Sequence, residues 1–161
     1  MAVHAHPDDE ALLTAGTLAR AAREGHRVVL VLATRGEVGD VGDGVLDGAE
    51  QLGERRTREA EASAAAIGVE RLVFLDHLDS GHAPDLDDVA GRIAEILTEV
   101  AADVVIADDR HGGYGHPDHR RVHDAVVRAA DLTGVPMLEA TIDRDFLAGG
   151  IALAESMGVA V

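Results

Sequence analysis

Residues 2–10, Ala-Val-His-Ala-His-Pro-Asp-Asp-Glu, begin as a short apolar segment and end as a cluster of polar side chains. The first four of these residues predict a β-strand, and residues 9–23 predict a helix. His6 and Asp9 are three residues apart across the intervening turn, which Pro7 stiffens because its φ is fixed. The segment therefore indicates a strand that leads directly into a polar site.

Continuous apolar runs recur along the chain and alternate with stretches of helical periodicity. Such runs predict further strands at residues 28–32, 72–75, 104–106 and 137–142. Helical spacing predicts helices at residues 51–67, 86–100 and 147–157. This alternation favours a Rossmann-like α/β fold, a mostly parallel sheet with helices on both faces, in a single domain over residues 1–161. In such sheets, ligands bind at the carboxyl ends of the strands.

A second polar cluster follows the strand predicted at residues 104–106. Residues 111–119 are His-Gly-Gly-Tyr-Gly-His-Pro-Asp-His, so His116 and His119 are also three residues apart around a proline. The glycines allow the backbone to approach a site closely. Because both polar clusters follow predicted strands, we expect them to meet in one cleft.

The two clusters offer ligands for a catalytic metal. The chain has no cysteine, so a metal must bind histidine and carboxylate side chains. Three such ligands with a position left for water are typical of catalytic zinc, and Fe²⁺ or another divalent metal is compatible. The bound water would have its pKa lowered towards about 7, and a carboxylate and a histidine nearby would assist it. Asp8 and His116 are placed for those roles, although spacing leaves open which of Asp8 and Asp9 binds the metal.

The two motifs resemble those of the PIG-L/LmbE deacetylases, which include mycothiol-pathway deacetylases and S-conjugate amidases. The matching segments are Ala-His-Pro-Asp-Asp-Glu at residues 5–10 and His-Pro-Asp-His at residues 116–119, and the resemblance extends from about residue 2 to about residue 142. It implies a zinc-dependent N-deacetylase or amidase that hydrolyses the N-acyl bond of an amino sugar or a related small conjugate. Members of the family continue beyond this sequence, so we expect their C-terminal part to be absent here.

The resemblance also implies a role for each residue of the first motif and its partner. His6, Asp9 and His119 would bind zinc, and Asp8 would be the general base. These roles agree with the ligand types that the spacing favours.

Five further residues receive roles from the same resemblance. His116 would polarise the carbonyl and protonate the leaving amine, and Asp118 would orient His116 or tune the base. Tyr114 would lie near the oxyanion. Arg56 and Asp79 would bind substrate, although a helix salt bridge and a turn are their respective alternatives.

The charge of the chain limits its partners. The net charge is −16, from 30 acidic residues against 14 basic residues, all of them arginine. Such a field disfavours nucleic acid, anionic membranes and polyanionic substrates, unless arginine is concentrated locally. No run of about 18 apolar residues predicts a membrane span. We expect a cytoplasmic protein with a small N-acylated substrate, and a homo-oligomer is compatible with the sequence.

Two alternatives remain at the level of the sequence. A metal-dependent phosphoesterase often uses two metals, and few further carboxylate or histidine motifs follow the strands. A Rossmann-like metal-binding module without deacetylase activity is the other, although Gly-x-Gly-x-x-Gly does not follow the first strand. The Gly/Asp-rich residues 38–48 predict a lid over the site or a solvated loop, and His4 is expected in the core or at the cleft edge.

Overall fold

A computed structural model describes residues 1–42, 44–46, 48–76 and 85–159 of the chain. The five strands are β1 (Ala2–His4), β2 (Val29–Leu32), β3 (Arg71–Phe74), β4 (Val105–Asp108) and β5 (Met137–Ala140). The helices are α1 (Asp9–Leu13), α2 (Ala15–Arg23), α3 (Leu52–Ile67), α4 (Leu86–Glu99), α5 (Pro117–Thr133) and α6 (Arg144–Ser156). The strands form one parallel sheet in the order β3-β2-β1-β4-β5.

The side chains of the central strands alternate between two apolar layers. In β2, Leu30 and Leu32 pack on one face with residues of α2 and α3. Val29 and Val31 pack on the other face with residues of α4 and α5. A strand that is covered on both sides must be apolar throughout, which explains the unbroken run in the sequence. The predicted Rossmann-like α/β fold is confirmed, and the sheet is parallel in every strand pair described.

The prediction of one helix over residues 9–23 was wrong about its continuity. The chain breaks between α1 and α2 at Thr14, whose φ is −126°. The Thr14 hydroxyl lies 2.8 Å from Nε2 of His4, and both residues are buried. This contact is tertiary, so helical periodicity does not encode it.

Two other helices differ from the sequence predictions. Helix α5 was not predicted, and α6 begins at Arg144 rather than at residue 147. The earlier start of α6 has a local cause, because the Asp143 carboxylate accepts a hydrogen bond of 2.9 Å from the Phe146 N–H and so caps the helix. Among the described residues, no helix combines the length and the apolar character that crossing a bilayer requires.

The topology brings the two polar clusters together. Strands β1 and β4 are parallel neighbours, with Ala2 paired to Ile106. Their carboxyl ends therefore meet at the same edge of the sheet. Residues 5–10 leave β1 there, and residues 111–119 leave β4 there. The predicted cleft between these segments is thus a direct result of the strand order.

Candidate metal and catalytic site

Two imidazoles and one carboxylate converge at this edge of the sheet. The ligand atoms of His6, Asp9 and His119 lie within 4.8 Å of one another. Nε2 of His119 is 3.4 Å from Oδ1 of Asp9, and Nδ1 of His6 is 3.6 Å from Oδ2 of Asp9. This is the donor set of a catalytic zinc site, so the residues present fit a divalent metal.

The turn between β1 and α1 holds Asp9 in place. Its Oδ2 accepts a hydrogen bond of 2.8 Å from the His6 backbone N–H. Burial raises the pKa of Asp9, but the hydrogen bonds from His6 and the positive charge of His119 outweigh burial, and the pKa lies below its ordinary value. Asp9 is therefore ionised at neutral pH, as a metal ligand must be.

Asp8 adopts a strained backbone conformation. Its φ is 103°, in the left-handed region that costs a residue with a side chain about 1–2 kcal/mol. The Asp8 N–H donates a hydrogen bond of 3.1 Å to Oε2 of Glu10. Glu10 is itself buried, and its Oε1 accepts a bond of 2.6 Å from the Ser63 hydroxyl on α3. Glu10 thus connects the strained turn to α3 through hydrogen bonds at both of its carboxylate oxygens.

Arg56 makes two hydrogen bonds to this turn. Its Nη2 donates hydrogen bonds of 2.7 Å to Oδ2 of Asp8 and 2.6 Å to the Pro7 carbonyl. Although more than half of the Asp8 side chain is exposed, desolvation within the cleft raises its pKa. The Arg56 charge opposes that effect, and the pKa of Asp8 remains above its ordinary value. Arg56 therefore contacts the predicted base, and the alternative of a salt bridge within its own helix is not what the structure has.

His116 occupies the N-cap of α5. Its Nδ1 accepts a hydrogen bond of 3.2 Å from the Asp118 backbone N–H, so the proton of a neutral ring is on Nε2. The Asp118 carboxylate is nearer to His6, with 3.3 Å from Oδ2 to Nε2, than to Nδ1 of His116 at 3.8 Å. The ring of Tyr114, which is 82% exposed, lies 5.7 Å from the His116 ring and 5.8 Å from the His119 ring.

One pocket of about 310 Å³ joins these groups. Its lining comprises most of the predicted site residues and two residues from the predicted lid segment: His6, Asp8, Asp9, Val38, Gly39, Arg56, Tyr114, His116 and Asp118. Asp79 lies outside the described residues, so its predicted role stays a prediction. Tyr114 also borders a second pocket of about 520 Å³, whose basic lining residues are His111, Arg120 and Arg144.

Sequence reasoning missed the groups beneath the pocket. Oδ1 of Asp108 is 3.0 Å from Nδ1 of His4, and Oδ2 is 3.0 Å from Nδ1 of His119. Burial raises the pKa of Asp108, but the close contacts with the imidazoles of His119 and His4 outweigh burial and lower it to about 2. Conversely, burial lowers the pKa of His119, but Asp108 and Asp9 raise it above its ordinary value. The sequence feature that could have indicated this buried contact is Asp108 itself, an acidic residue at the end of the apolar β4 run.

Comparisons with known proteins identify the family of the chain. A profile of the PIG-L family, described as GlcNAc-PI de-N-acetylase, matches residues 1–130. The 1D-myo-inositol 2-acetamido-2-deoxy-alpha-D-glucopyranoside deacetylase of Nakamurella multipartita is 42% identical over 85% of this chain and 56% of its own length. The enzyme of the same name from Acidothermus cellulolyticus is 38% identical, over 97% of this chain and 62% of its own length.

A solved structure extends the similarity to the fold. The N,N'-diacetylchitobiose deacetylase from Pyrococcus horikoshii matches with a TM-score of 0.72 and 28% identity, over 81% of this chain and 48% of that one. The present chain thus spans little more than half the length of the curated relatives it matches. Because the family profile covers most of the sequence and both motifs, the chain belongs to the PIG-L family of de-N-acetylases.

Proposed function

We propose that the protein is a zinc-dependent N-deacetylase that hydrolyses the N-acyl bond of an amino-sugar conjugate or a related small amide. The observation that carries this proposal is the convergence of His6, Asp9 and His119 within 4.8 Å, at the pocket that Asp8 and His116 line. The names of the relatives support the reaction class, since both the inositol conjugate and diacetylchitobiose contain an N-acetylated amino sugar.

His6, Asp9 and His119 would hold the metal. Bound there, zinc would supply a Lewis acid for the acyl oxygen and for the attacking water. The same ligand set also suits Fe²⁺. The protein itself would hold the two imidazoles and the carboxylate close together before the metal binds.

Asp8 would be the general base. Its raised pKa makes it a better proton acceptor than an ordinary aspartate. Arg56 fixes the carboxylate through a hydrogen bond of 2.7 Å and thereby directs it within the pocket. The strained backbone at Asp8 is consistent with such a role, because strain of this kind concentrates at active sites.

His116 would act on the opposite side of the acyl group. The Nε2–H of its neutral tautomer can donate to the developing oxyanion, and a proton from this ring can pass to the leaving amine. Tyr114 stands against the His116 ring and would add a second donor there. Asp118 would orient His6 as well as His116, since its carboxylate is closest to His6.

The second pocket gives room for the remainder of the conjugate. Tyr114 lines both pockets, so a substrate whose acylamino group lies at the metal would extend past that ring into the second one. Its lining combines Arg120 and Arg144 with the apolar side chains of Ile142 and Leu147. Hydroxyl-rich or other polar groups on the conjugate would find hydrogen-bond donors there.

A substrate panel tests the proposed reaction. The zinc-reconstituted protein is incubated with N-acetylated glucosamine glycosides and small amide conjugates, and free amine and acetate are measured. We expect equimolar amine and acetate from at least one amino-sugar substrate. Release of phosphate from a generic phosphomonoester, without release of amine, would favour the phosphoesterase alternative. Zinc binding with neither product would favour the non-catalytic module.

A further inference from the structure

A buried polar chain connects the helix break to the metal site. The Thr14 hydroxyl contacts Nε2 of His4 at 2.8 Å, and Nδ1 of His4 contacts Oδ1 of Asp108 at 3.0 Å. The other oxygen of Asp108 lies 3.0 Å from Nδ1 of His119. All four residues are at most 3% exposed. These contacts link the α1–α2 junction to α5 through β1 and β4.

The contact between Asp108 and His119 determines which nitrogen of His119 is free. Oδ2 of Asp108 and Nδ1 of His119 are buried and face each other at 3.0 Å, and in the described part of the chain neither atom makes a hydrogen bond of regular geometry. An ionised carboxylate only accepts hydrogen bonds, so the ring nitrogen that faces it must carry hydrogen. Nε2, which lies 3.4 Å from Asp9, is then left with its lone pair directed at the metal ligands.

His4 and Thr14, at the other end of this series of contacts, keep the Asp108 carboxylate from turning away. Oδ1 is held by His4, and His4 is held in turn by Thr14. A hydroxyl on the opposite side of the ring fills the second hydrogen-bonding position of His4, so the imidazole has a partner at both nitrogens. The carboxylate is thus held 3.0 Å from Nδ1 of His119.

We propose that Asp108 and His4 are positioning residues that set the tautomer and ring orientation of His119, with Thr14 as their anchor. This inference rests on the proposed metal site, since it concerns how a ligand is prepared for the metal. Neither Asp108 nor His4 belongs to the metal-binding triad, so their effect on the metal is indirect. Carboxylate partners of this kind typically change metal affinity by about 10–100-fold.

Metal affinity measured by chelator competition tests the proposal. We expect Asp108→Asn and His4→Phe to weaken zinc binding by about 10–100-fold. His123→Phe is the matched control, because His123 is a buried histidine of α5 whose Nδ1, among the described residues, contacts the main-chain carbonyl of Asp108 at 3.0 Å and Glu139 at 3.6 Å rather than the Asp108 carboxylate. That variant should lose thermal stability but keep the wild-type zinc affinity. Unchanged affinity in Asp108→Asn, or an equal loss in all three variants, would overturn the proposal.

A second measurement needs neither zinc nor activity. Nitrogen-15 NMR of the metal-free protein at alkaline pH distinguishes the two neutral tautomers of His119. We expect hydrogen on Nδ1 in the wild type and a mixture of tautomers in Asp108→Asn. Thr14→Val replaces the hydroxyl with a methyl group and is the alternative variant if His4→Phe does not fold. It should change the tautomer ratio of His119 in the same direction as Asp108→Asn, by a smaller amount. Hydrogen on Nε2 in the wild type contradicts the inference, whereas a wild type that binds no zinc contradicts the proposed function instead.

Discussion

At the residue scale, the candidate site combines two short motifs with a buried contact between residues that are far apart in the sequence. The His-Pro-Asp motifs are local features, and the resemblance to the family singles out His6, Asp9 and His119 within them as the expected metal ligands. His4 and Asp108 are 104 residues apart, and their contact exists only after β1 and β4 have paired. Nothing in the local sequence distinguishes such a histidine from an ordinary core residue.

The strain at Asp8 gives a prediction about stability. Asp8→Gly and Asp8→Ala both remove the carboxylate and its contact with Arg56, so their difference isolates the backbone. Because glycine adopts a φ of 103° without a steric penalty, Asp8→Gly should be more stable than Asp8→Ala by about 1 kcal/mol in denaturant titrations. Equal stability of the two variants would show that the turn is not strained.

The roles of the two adjacent aspartates can be separated. Asp8→Asn should retain zinc and lose about 10²–10⁴-fold in kcat, the usual contribution of a general base. Asp9→Asn should lose zinc itself, because an amide is a poorer ligand than the ionised carboxylate held by His6. Metal content and initial rates on the same preparations decide the question. If Asp8→Asn loses zinc while Asp9→Asn keeps it, the two roles are reversed.

Arg56 should tune the base. The Arg56 charge lowers the pKa of Asp8, so Arg56→Gln should raise that pKa further and move the acidic limb of the kcat/KM profile to higher pH. Arg58→Gln is a suitable control, because Arg58 lies on the same helix but pairs with Glu50. An acidic limb that moves equally in both variants, or in neither, would mean that Asp8 is not the group titrating there.

At the element scale, apolar runs predicted the strands and missed one helix. The continuous runs identify β2, β3 and β4 because those strands are covered on both faces. Helix α5 escaped because two of the residues on its buried side, His119 and His123, are polar and interrupt the apolar periodicity. The break at Thr14 escaped for the related reason that its cause is the buried contact with His4. Apolar periodicity therefore fails to predict helices and helix breaks whose buried residues are polar.

The ion pair between β4 and α5 predicts how the stability of the metal-free protein depends on pH. The pKa of Asp108 falls from 3.8 to about 2 on folding, so its contribution, about 2 kcal/mol, is present above about pH 4 and is lost as the pH falls towards 2. The pKa of His119 is raised above 6.5, so the same ion pair weakens as the pH rises through that higher value. The contribution of this ion pair to stability should therefore be greatest between about pH 4 and 6.5.

Denaturant unfolding of the metal-free protein across this range gives the measurement. The difference between wild type and Asp108→Asn should be largest between about pH 4 and 6.5 and should shrink towards pH 2. Because Asp108 and His119 form one ion pair, their two contributions must not be added. A difference that is constant with pH would show that the carboxylate contributes through packing alone.

At the scale of the whole molecule, the strand order determines where chemistry can occur. The sheet brings the carboxyl ends of β1 and β4 together, and both motifs leave the sheet at that edge. The family and fold could be predicted from the sequence because two specific motifs and a regular alternation of elements indicate them. The substrate could not, since the chain spans little more than half of its curated relatives and the second pocket has no motif of its own. A cytoplasmic location and a homo-oligomer stay predictions.

The zinc content of the purified chain is the decisive measurement. After reconstitution with excess zinc and desalting, the wild type should retain about one zinc ion per chain, because two imidazoles and a carboxylate suffice for a catalytic site. His119→Ala should retain little, whereas His123→Ala, which removes a buried histidine of the same helix that is not in the predicted ligand set, should retain the wild-type amount. A wild type that keeps no zinc, or a His119→Ala variant that keeps a full equivalent, would contradict the metal site on which the proposed function depends.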